Sequence, residues 1–464
     1  MMHQWDLEKH FVSKFMDFFT SRHIGRAFLI LLVPGISLKR WLALGALGTL
    51  CIALGIIFAL RISLWPGFTS LAEIVSLRGE PSIVRASVFI GFGIIVAAAA
   101  SICLGRSLMV LPTRRRHWRF WDSLYIERVL GTGPKVVVIG GGSGLPNLLR
   151  GLKHYTTNIT AIVTVADDGG SSGRLRTELG ILPPGDIRNC LVALADSEDV
   201  MQQLMDYRFS SSGQLDGHSF GNMLIAALAG IGGDFYQGVE IAGELLAIRG
   251  RVVPSTSMDV TLVGRTVSGK PLIGESKVGT AEDPLQTLSL LPANANAHPD
   301  AIRAIEEADM ILLGPGSLFT SIVPNLLVRE IASAIARASA FTIYVCNVAG
   351  ELDQTIDFSV LDHLDVIRRY VNPSAVDLVL ANDNFVSQPS VMAGTVSGGI
   401  PLNLVEPPRP WQDRAICVLA DVIDSSNPTR HDPEKLSTVI VKTYRDYRGR
   451  RRRMPRRWMG LSEK

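Results

Sequence analysis

Two neighbouring carboxylates, Asp167 and Asp168, come directly before a loop of glycine and serine in the segment ADDGGSSGRLR (residues 166–176). Carboxylates at the end of a strand can accept hydrogen bonds from ribose hydroxyls, and they can also hold Mg²⁺ beside a diphosphate. Arg174 and Arg176 could each bind a phosphate or a carboxylate through two parallel hydrogen bonds. The segment therefore predicts contact with a ligand that carries hydroxyl and phosphate groups; the alternative is a polar turn that caps a helix.

A glycine loop, GGGSG at residues 140–144, lies between the apolar run KVVVI and the helical pattern LPNLLRGLK. Glycine lets the backbone approach a diphosphate closely, and the N-terminus of the following helix adds partial positive charge. A second loop of this kind, GPGS at residues 314–317, also follows an apolar run. Each loop alone could be a simple tight turn, whereas the two together favour phosphate binding.

Two further segments place polar side chains next to helix starts. In LPPGDIRN, Asp186 is positioned to cap the following helix, and Arg188 indicates an anionic partner because a cation in a first turn opposes the helix dipole. The alternative for Arg188 is a surface salt bridge. In GHSFGN, His218 could carry a proton near neutral pH, cap a helix or bind a ligand. A serine nucleophile is not indicated, because the GxSxG elbow is absent.

We expect these loops to meet at one edge of a sheet, because open α/β sheets bind ligands at the carboxyl ends of their strands. The residues predicted to contact the ligand are Gly140, Gly141, Gly142, Ser143, Gly144, Asp167, Asp168, Gly169, Gly170, Ser171, Ser172, Arg174, Asp186, Arg188, Asn189, His218, Ser219, Asn222, Gly314, Gly316, Ser317 and Asn347. Asp168 would be the metal ligand if Mg²⁺ takes part. No catalytic residue is assigned.

The elements that must position these residues are short apolar strands that alternate with helical patterns from about residue 130 to 390. Continuous apolar strands are typical of a parallel sheet that is covered on both faces. The pattern predicts a doubly wound, mostly parallel α/β domain, with a small antiparallel insertion at about residues 251–278, where apolar and polar residues alternate. Residues 391–464 are predicted to form a C-terminal extension with an arginine-rich tail.

Two apolar runs without charges, at residues 41–60 and 86–105, are each long enough to cross a hydrocarbon core. Lysine and arginine flank the pair on its outer sides, which by the positive-inside rule places both ends in the cytoplasm. We expect residues 1–120 to form a membrane anchor with a two-helix transmembrane hairpin. The chain would then be a two-pass protein of the inner or cytoplasmic membrane, and its C-terminal domain would be cytoplasmic.

Composition and charge argue against several classes of protein. The 464 residues are 47% hydrophobic with a net charge of +3, so most of the chain is globular. The five cysteines lack paired spacing, which makes a structural zinc site a poor explanation. Arginines cluster at residues 114–116 and in the tail at 447–458, where they could meet anionic lipid or simply be solvated. No specific nucleic acid is expected, because no aromatic platform accompanies these charges.

Several segments in fixed order carry a family resemblance: VVVIGGGSGL, TAIVTVADDGGSSGRLR, LGILPPGDIRN, GHSFGN, VTLVG with GESK, LGPGSLFTSIVPNLLV and YVCNV. They resemble the gluconeogenesis factor family (YvcK-like), a branch of the CofD-like superfamily that includes 2-phospho-L-lactate transferase. The resemblance covers about residues 135–384. It implies a Rossmann-like fold, a bound nucleotide sugar such as UDP-N-acetylglucosamine, and a role in carbon-flux control and cell-envelope morphogenesis.

The chain departs from the family pattern in two places. Family members start near the glycine loop and are soluble, so the anchor is expected to be an addition. The loop at residues 349–359 reads AGELDQTIDFS, where the family commonly has a TQPGETDGFS-like sequence. This second departure bears on ligand choice or partner contacts at that loop.

Two function classes lead. The first is a membrane-anchored regulator that binds a nucleotide sugar without turning it over. The alternative is an Mg²⁺-dependent CofD-like transferase that moves a phospholactyl group from a nucleoside diphosphate to a deazaflavin. An NAD-dependent oxidoreductase would leave the two-carboxylate loop and LPPGDIRN without a role. Homo-oligomerisation and the identity of a protein partner are left open.

Overall fold

The computed structural model describes residues 38–59, 82–109, 130–384 and 415–453, apart from residues 197, 211–212, 214 and 352–353. The chain forms two compact units, Met1–Val129 and Leu130–Lys464. The arginines at 114–116 and the last part of the basic tail, after residue 453, lie outside the described residues. In the first unit the described elements are two helices, α1 (Leu38–Ala59) and α2 (Ser82–Met109).

Helices α1 and α2 pack closely against each other through small residues. A Cβ atom added to Gly93 would lie 2.7 Å from the carbonyl oxygen of Gly48, so only glycine allows this approach. Gly55, later in α1, meets Ile90, which comes earlier in α2. The two helices are therefore antiparallel, and small residues at such an interface are typical of helices in membranes.

Of the two predicted membrane spans, the described structure has one helix with the length and hydropathy of a span and one that is shorter. Helix α2 contains an 18-residue stretch, Ala86–Cys103, with a mean hydropathy of 2.3, which meets the length and composition of a membrane span. The apolar part of α1 is shorter, Ala43–Ile57, against the ~20 residues that a spanning helix needs. The antiparallel helix pair is present, one helix is a candidate span, and the complete transmembrane hairpin stays a prediction.

The second unit is built on parallel strands. Its described strands are β1 (Val136–Gly140), β2 (Ile159–Val163), β3 (Arg251–Pro254), β4 (Thr261–Thr266), β5 (Pro271–Ile273), β6 (Leu285–Leu291), β7 (Met310–Leu313), β8 (Phe341–Val345), β9 (Leu378–Asn382) and β10 (Ile416–Ala420). Seven of them form one sheet in the order β10-β9-β8-β7-β1-β2-β3, and every pairing in it is parallel. Every residue of β1, β2, β7, β8 and β9 is buried, as their continuous apolar character predicts.

The strand order contains one reversal. From β1 the chain moves outward to β2 and β3, then returns to place β7 on the other side of β1. This is the doubly wound arrangement that the sequence predicts. Ligands of such sheets bind in the crevice beyond the carboxyl ends of the two strands where the order reverses. The loops after β1 and β7 therefore occupy the position at which a ligand is expected.

Helices connect and flank these strands. They are α3 (Gly144–Leu152), α4 (Gly170–Leu179), α5 (Gly185–Leu194), α6 (Glu198–Asp206), α7 (Phe220–Gly232), α8 (Phe235–Leu246), α9 (Glu275–Gly279), α10 (Pro299–Glu306), α11 (Val323–Leu326), α12 (Arg329–Arg337), α13 (Val360–Tyr370) and α14 (Pro433–Arg453). A π-helical turn, Leu318–Ile322, follows β7. The first turns of α3, α4 and α5, with the loops that precede α3 and α4, contain most of the predicted ligand residues.

The antiparallel insertion is present, but its bounds differ from the predicted 251–278. Strand β3 is mostly buried and pairs in parallel with β2, so it belongs to the main sheet. The antiparallel sheet has the order β5-β4-β6 and runs from residue 261 to residue 291. Strands β4, β5 and β6 show the alternating burial that marks a half-exposed sheet, whereas β3 is buried after its first residue.

Residues 415–453, the described part of the predicted C-terminal extension, belong to the same unit as the sheet. Strand β10 continues the parallel sheet beside β9, and α14 packs against α3. Leu436 and Ile440 of α14 are fully buried. The Tyr155 hydroxyl lies 2.9 Å from the Thr438 hydroxyl, and Tyr447 stacks on Phe341 with ring centroids 4.0 Å apart.

The C-terminal packing yields the first prediction. A fragment of residues 130–384 should fail to fold cooperatively, because it exposes one side of β9 and the face of α3 that α14 covers. Burying one large aliphatic side chain contributes about 2 kcal/mol to the free energy of unfolding. Helix α14 buries several such side chains. A fragment of residues 130–453 is the control and should melt like residues 130–464. Calorimetry compares the three, and equal melting of the shortest fragment would contradict the assignment.

Candidate functional site

The loops after β1 and β7 are in direct contact. A Cβ atom on Gly144 would lie 2.7 Å from the backbone oxygen of Pro315 and 2.9 Å from the amide nitrogen of Gly316. These are backbone atoms that cannot rotate away, so glycine is required at this position. The N-terminus of α3 consequently lies against the loop at 314–317, which brings two of the predicted segments together at the strand-order reversal.

The LPPGDIRN segment reaches the first of these loops. Asp186, in the first turn of α5, accepts a hydrogen bond from the Gly142 amide at 2.6 Å through its Oδ2 atom. Burial raises the pKa of Asp186 to about 6, although the Gly142 hydrogen bond acts in the opposite direction. A carboxylate of the protein thus occupies one N–H group of the glycine loop, and the exposed Ser143 next to it makes no side-chain capping bond.

The two carboxylates after β2 have different partners. Asp167 accepts a hydrogen bond from the Gly169 amide at 2.8 Å, and burial raises its pKa. Asp168 accepts two hydrogen bonds through Oδ1, from the Ser276 amide at 2.9 Å and from the Ser276 hydroxyl at 2.6 Å. Asp168 therefore anchors α9, the short helix of the antiparallel insertion, at the rim, which is the edge of the main sheet formed by the loops after β1, β2 and β7.

Glu275 is a site residue that the sequence analysis did not single out. It opens α9 and hydrogen-bonds Thr320 in the turn after β7. Burial, followed by the charges of Asp167, Asp186 and Asp168, raises the pKa of Glu275 to about 7. The only sequence signal was its place in the GESK turn of the insertion, and spacing alone does not show that an inserted helix folds back over the sheet edge.

The strand after α12 adds a further group to the same edge. Asn347, just after β8, accepts a hydrogen bond from the Gly316 amide at 3.3 Å. Ser317 donates to Glu351 at 2.9 Å, and burial raises the pKa of Glu351. Glu351 lies in the loop at 349–359 that departs from the family sequence. That loop therefore holds the loop after β7 through a side chain that was not among the predicted site residues.

Five predicted residues form a buried network behind the rim. Ser171, Arg188, His218, Ser219 and Asn222 are each at most 7% exposed. One guanidinium nitrogen, Nη1 of Arg188, donates to the Ser219 hydroxyl at 2.6 Å and to Oδ1 of Asn222 at 3.1 Å. The Ser171 hydroxyl lies 3.1 Å from Nδ1 of His218 and accepts a hydrogen bond from the side-chain Nδ2 of Asn222 at 3.2 Å. The network joins α4, α5 and α7, and ligand contact by its members stays a prediction.

The remaining basic residues bind protein groups. Arg188 also pairs with Asp206 at 3.3 Å and donates to Asn189 at 2.8 Å. Arg174 donates to the backbone oxygen of Asp216 at 2.7 Å. Arg176, which the sequence suggested as a phosphate ligand, pairs with Asp259 at 2.6 Å. Arg174, Arg176 and Arg188 are thus engaged by protein groups, and their contact with a ligand anion stays a prediction.

A cavity of about 690 Å³ opens at the same edge, beyond the end of β3. Its wall includes Pro254, the C-terminal end of α4, and the aromatic side chains of Tyr236 and His298, whose ring centroids are 4.2 Å apart. Tyr236 donates to Asp300 at 3.0 Å. None of the predicted ligand residues lines this cavity, so it adjoins the predicted site without being part of it.

The acidic residues do not assemble a metal centre among the described residues. No group of three or more His, Cys, Asp or Glu side chains there has an arrangement that could hold a metal ion. Asp168, the predicted Mg²⁺ ligand, directs its Oδ1 atom at Ser276. One or two carboxylates can hold Mg²⁺ together with the phosphates of a ligand, so the role of Asp168 as an Mg²⁺ ligand stays a prediction.

The raised pKa of Glu275 yields a pH-dependent prediction. Unfolded glutamate ionises at about 4.3, whereas folded Glu275 stays neutral up to about 7, so this residue costs the wild-type protein stability as pH rises between those values. In Glu275→Gln that cost is absent. The Tm advantage of the variant should grow from about pH 4.5 and level off above about pH 7.5.

The matched control is Glu244→Gln, at an exposed position of α8. Its Tm difference from wild type should not follow the same pH window. Thermal melts of the three proteins across pH measure both differences. A Glu275→Gln difference that is flat across that window would show that folding does not raise the pKa of Glu275.

Comparison with known proteins identifies relatives of this chain. The family model described as 2-phospho-L-lactate transferase CofD matches residues 136–401. The gluconeogenesis factor of Bacillus subtilis (strain 168) is 38% identical over 318 residues, which are 67% of this chain and 98% of that protein. A crystal structure of a Bacillus halodurans protein has a TM-score of 0.63 and 38% identity, covering 67% of this chain and 100% of that one.

A relative from Nostoc sp. (strain PCC 7120), provisionally named a gluconeogenesis factor, is 42% identical to this chain over 421 residues. The match covers 89% of this chain and 92% of that protein. That match is longer than the whole unit Leu130–Lys464, so the similarity extends into the N-terminal unit. This relative therefore shares part of the N-terminal region, whereas the Bacillus subtilis protein, which 67% of this chain covers over 98% of its length, lacks most of it, as expected of family members that start near the glycine loop. On the family match and these identities, the chain belongs to the gluconeogenesis factor branch of the CofD-like family.

Proposed function

We propose that this chain is a membrane-anchored regulator that binds a nucleotide sugar of the UDP-N-acetylglucosamine type in the crevice between β1 and β7. The observation that carries the proposal is the backbone contact between Gly144 and the loop at 314–317 at the strand-order reversal. That contact puts a helix N-terminus and two glycine loops at the place where doubly wound sheets bind nucleotides.

The chemistry of the rim is divided in a way that suits such a ligand. On one side the N-terminus of α3, with exposed Ser143, offers donors to a diphosphate, which only accepts hydrogen bonds. On the other side Asp167, Asp168 and Glu275 offer acceptors, which suit the hydroxyl groups of ribose and sugar. A diphosphate placed among those carboxylates would be repelled, which favours the α3 end for the diphosphate, although Asp186 already occupies the Gly142 amide there.

The regulatory role and the membrane anchor support each other. Helix α2 has the length and hydropathy of a membrane span, and the flanking lysines and arginines favour a cytoplasmic position for the ligand-binding domain. Relatives of this chain carry the gluconeogenesis factor name. We infer that the protein reports nucleotide-sugar supply at the cytoplasmic membrane, where carbon flux and cell-envelope synthesis meet.

Isothermal titration of residues 130–464 tests ligand identity. The Bacillus halodurans structure matches 67% of this chain over 100% of its own length, which supports the use of a fragment. UDP-N-acetylglucosamine should bind more tightly than NAD or GDP. Gly144→Ala should weaken binding at least about tenfold, or ~1.4 kcal/mol, because its Cβ would push the two loops apart.

The control for this substitution is Gly449→Ala in α14, where an added Cβ would meet no atom within 4 Å. It should leave the affinity unchanged. Equal affinity of wild type and Gly144→Ala for UDP-N-acetylglucosamine would remove the loop contact from the binding site. Tighter binding of NAD than of the nucleotide sugar would contradict the ligand class.

The CofD-like transferase is the second candidate, and the match to the transferase family model favours it. In that alternative a bond of the ligand's phosphoryl chain is broken with the help of Mg²⁺. Prolonged incubation of the fragment with a phospholactyl nucleoside diphosphate, a deazaflavin acceptor and Mg²⁺, followed by mass spectrometry, should return both compounds intact if the protein is a binder. Release of the nucleoside phosphate would establish the transferase instead.

A further inference from the structure

The C-terminal end of α14 is strongly basic. The sequence over residues 444–453 is YRDYRGRRRR. Arg445 and Arg448 are exposed, and within the described residues neither forms an ion pair; the Arg448 guanidinium lies over the ring of Tyr444, 5.9 Å from its centroid. The helix dipole favours cations only in the last turn. Arg445 lies two turns before the end, so the dipole does not account for the whole cluster.

These arginines surround a cavity at the edge of the sheet where the strands begin. The cavity has a volume of about 330 Å³, and Arg445 and Arg448 line it together with Pro134, Val136 and Met310. Val136 opens β1 and Met310 opens β7. The basic surface therefore lies at the opposite edge of the sheet from the nucleotide-sugar rim.

The cavity combines an apolar wall with two exposed guanidinium groups. We propose that the basic end of α14, with the cavity that Arg445 and Arg448 line, docks on the anionic surface of a lipid bilayer. Each basic residue near such a surface strengthens binding about fivefold.

Lipid suits this surface better than nucleic acid does. The cavity walls are largely apolar, with Val136, Met310 and Val441 behind the two guanidinium groups. Tyr444 is only 5% exposed and so offers no ring face on which a base could stack. Phosphate headgroups can meet the arginines while the apolar wall adjoins the interfacial region of the bilayer.

Docking in this way orients the domain. Strand β1 has five residues and spans about 17 Å, so the rim at its carboxyl end faces away from a bilayer that contacts its amino end. The nucleotide-sugar site then opens to the cytoplasm, where a soluble ligand and a protein partner can reach it. The inference goes beyond ligand binding, because it assigns a second, membrane-contacting surface to the domain itself.

Co-sedimentation of residues 130–464 with vesicles tests the proposal without the N-terminal helices. The fragment should bind vesicles that contain phosphatidylglycerol and not vesicles of phosphatidylcholine alone, and binding should fall with salt. The double variant Arg445→Gln and Arg448→Gln should bind roughly 30-fold more weakly. The control, Arg265→Gln with Lys270→Gln, removes the same charge from exposed positions of the antiparallel insertion and should bind like wild type.

Three outcomes would overturn the proposal: equal binding to both kinds of vesicle, an equal loss in the control variant, or binding to single-stranded RNA without binding to vesicles. Thermal melting of both variants separates lost contacts from lost folding, because exposed arginines can be replaced with little effect on Tm. The nucleotide-sugar titration is independent of all these results, so the two proposals can fail separately.

Discussion

One backbone contact determines the geometry of the rim: the approach of α3 to the loop after β7 at Gly144, where no side chain could be accommodated. Because this contact is made by main-chain atoms, it sets the distance between the two strands' loops more rigidly than side chains could. Asp186 then ties the glycine loop to α5, and Asn347 ties the loop after β7 to β8. Each loop of the rim is thereby held by its neighbour.

The rim also concentrates negative charge, which has an energetic cost. Asp167, Asp186 and Glu275 all have raised pKa values, and burial is the first cause for each. Such a cluster is unfavourable in the free protein, since each carboxylate resists ionisation next to the others. A ligand that donates hydroxyl hydrogen bonds to these groups would relieve part of that cost. Stability is thus given up at the site where binding can restore it.

Much of the fold could be predicted from sequence, since apolar strands with glycine turns specify a doubly wound sheet. The loops after β1, β2 and β7 met as expected, because parallel strands end at one edge. Glu275 and Glu351 were missed, because long-range contacts from an insertion leave no periodic signal. Arg176 was misleading, because a guanidinium pairs as readily with a protein carboxylate, here Asp259, as with a phosphate.

The central claim is that loops distant in sequence form one ligand-binding rim. Hydrogen exchange of residues 130–464 with and without UDP-N-acetylglucosamine measures this directly, because amides buried by a ligand or tightened around it exchange more slowly. The account predicts protection together at residues 140–144, 167–172 and 314–317, with α14 unchanged. Protection confined to one of these loops, or located at the cavity beside β3, would contradict it.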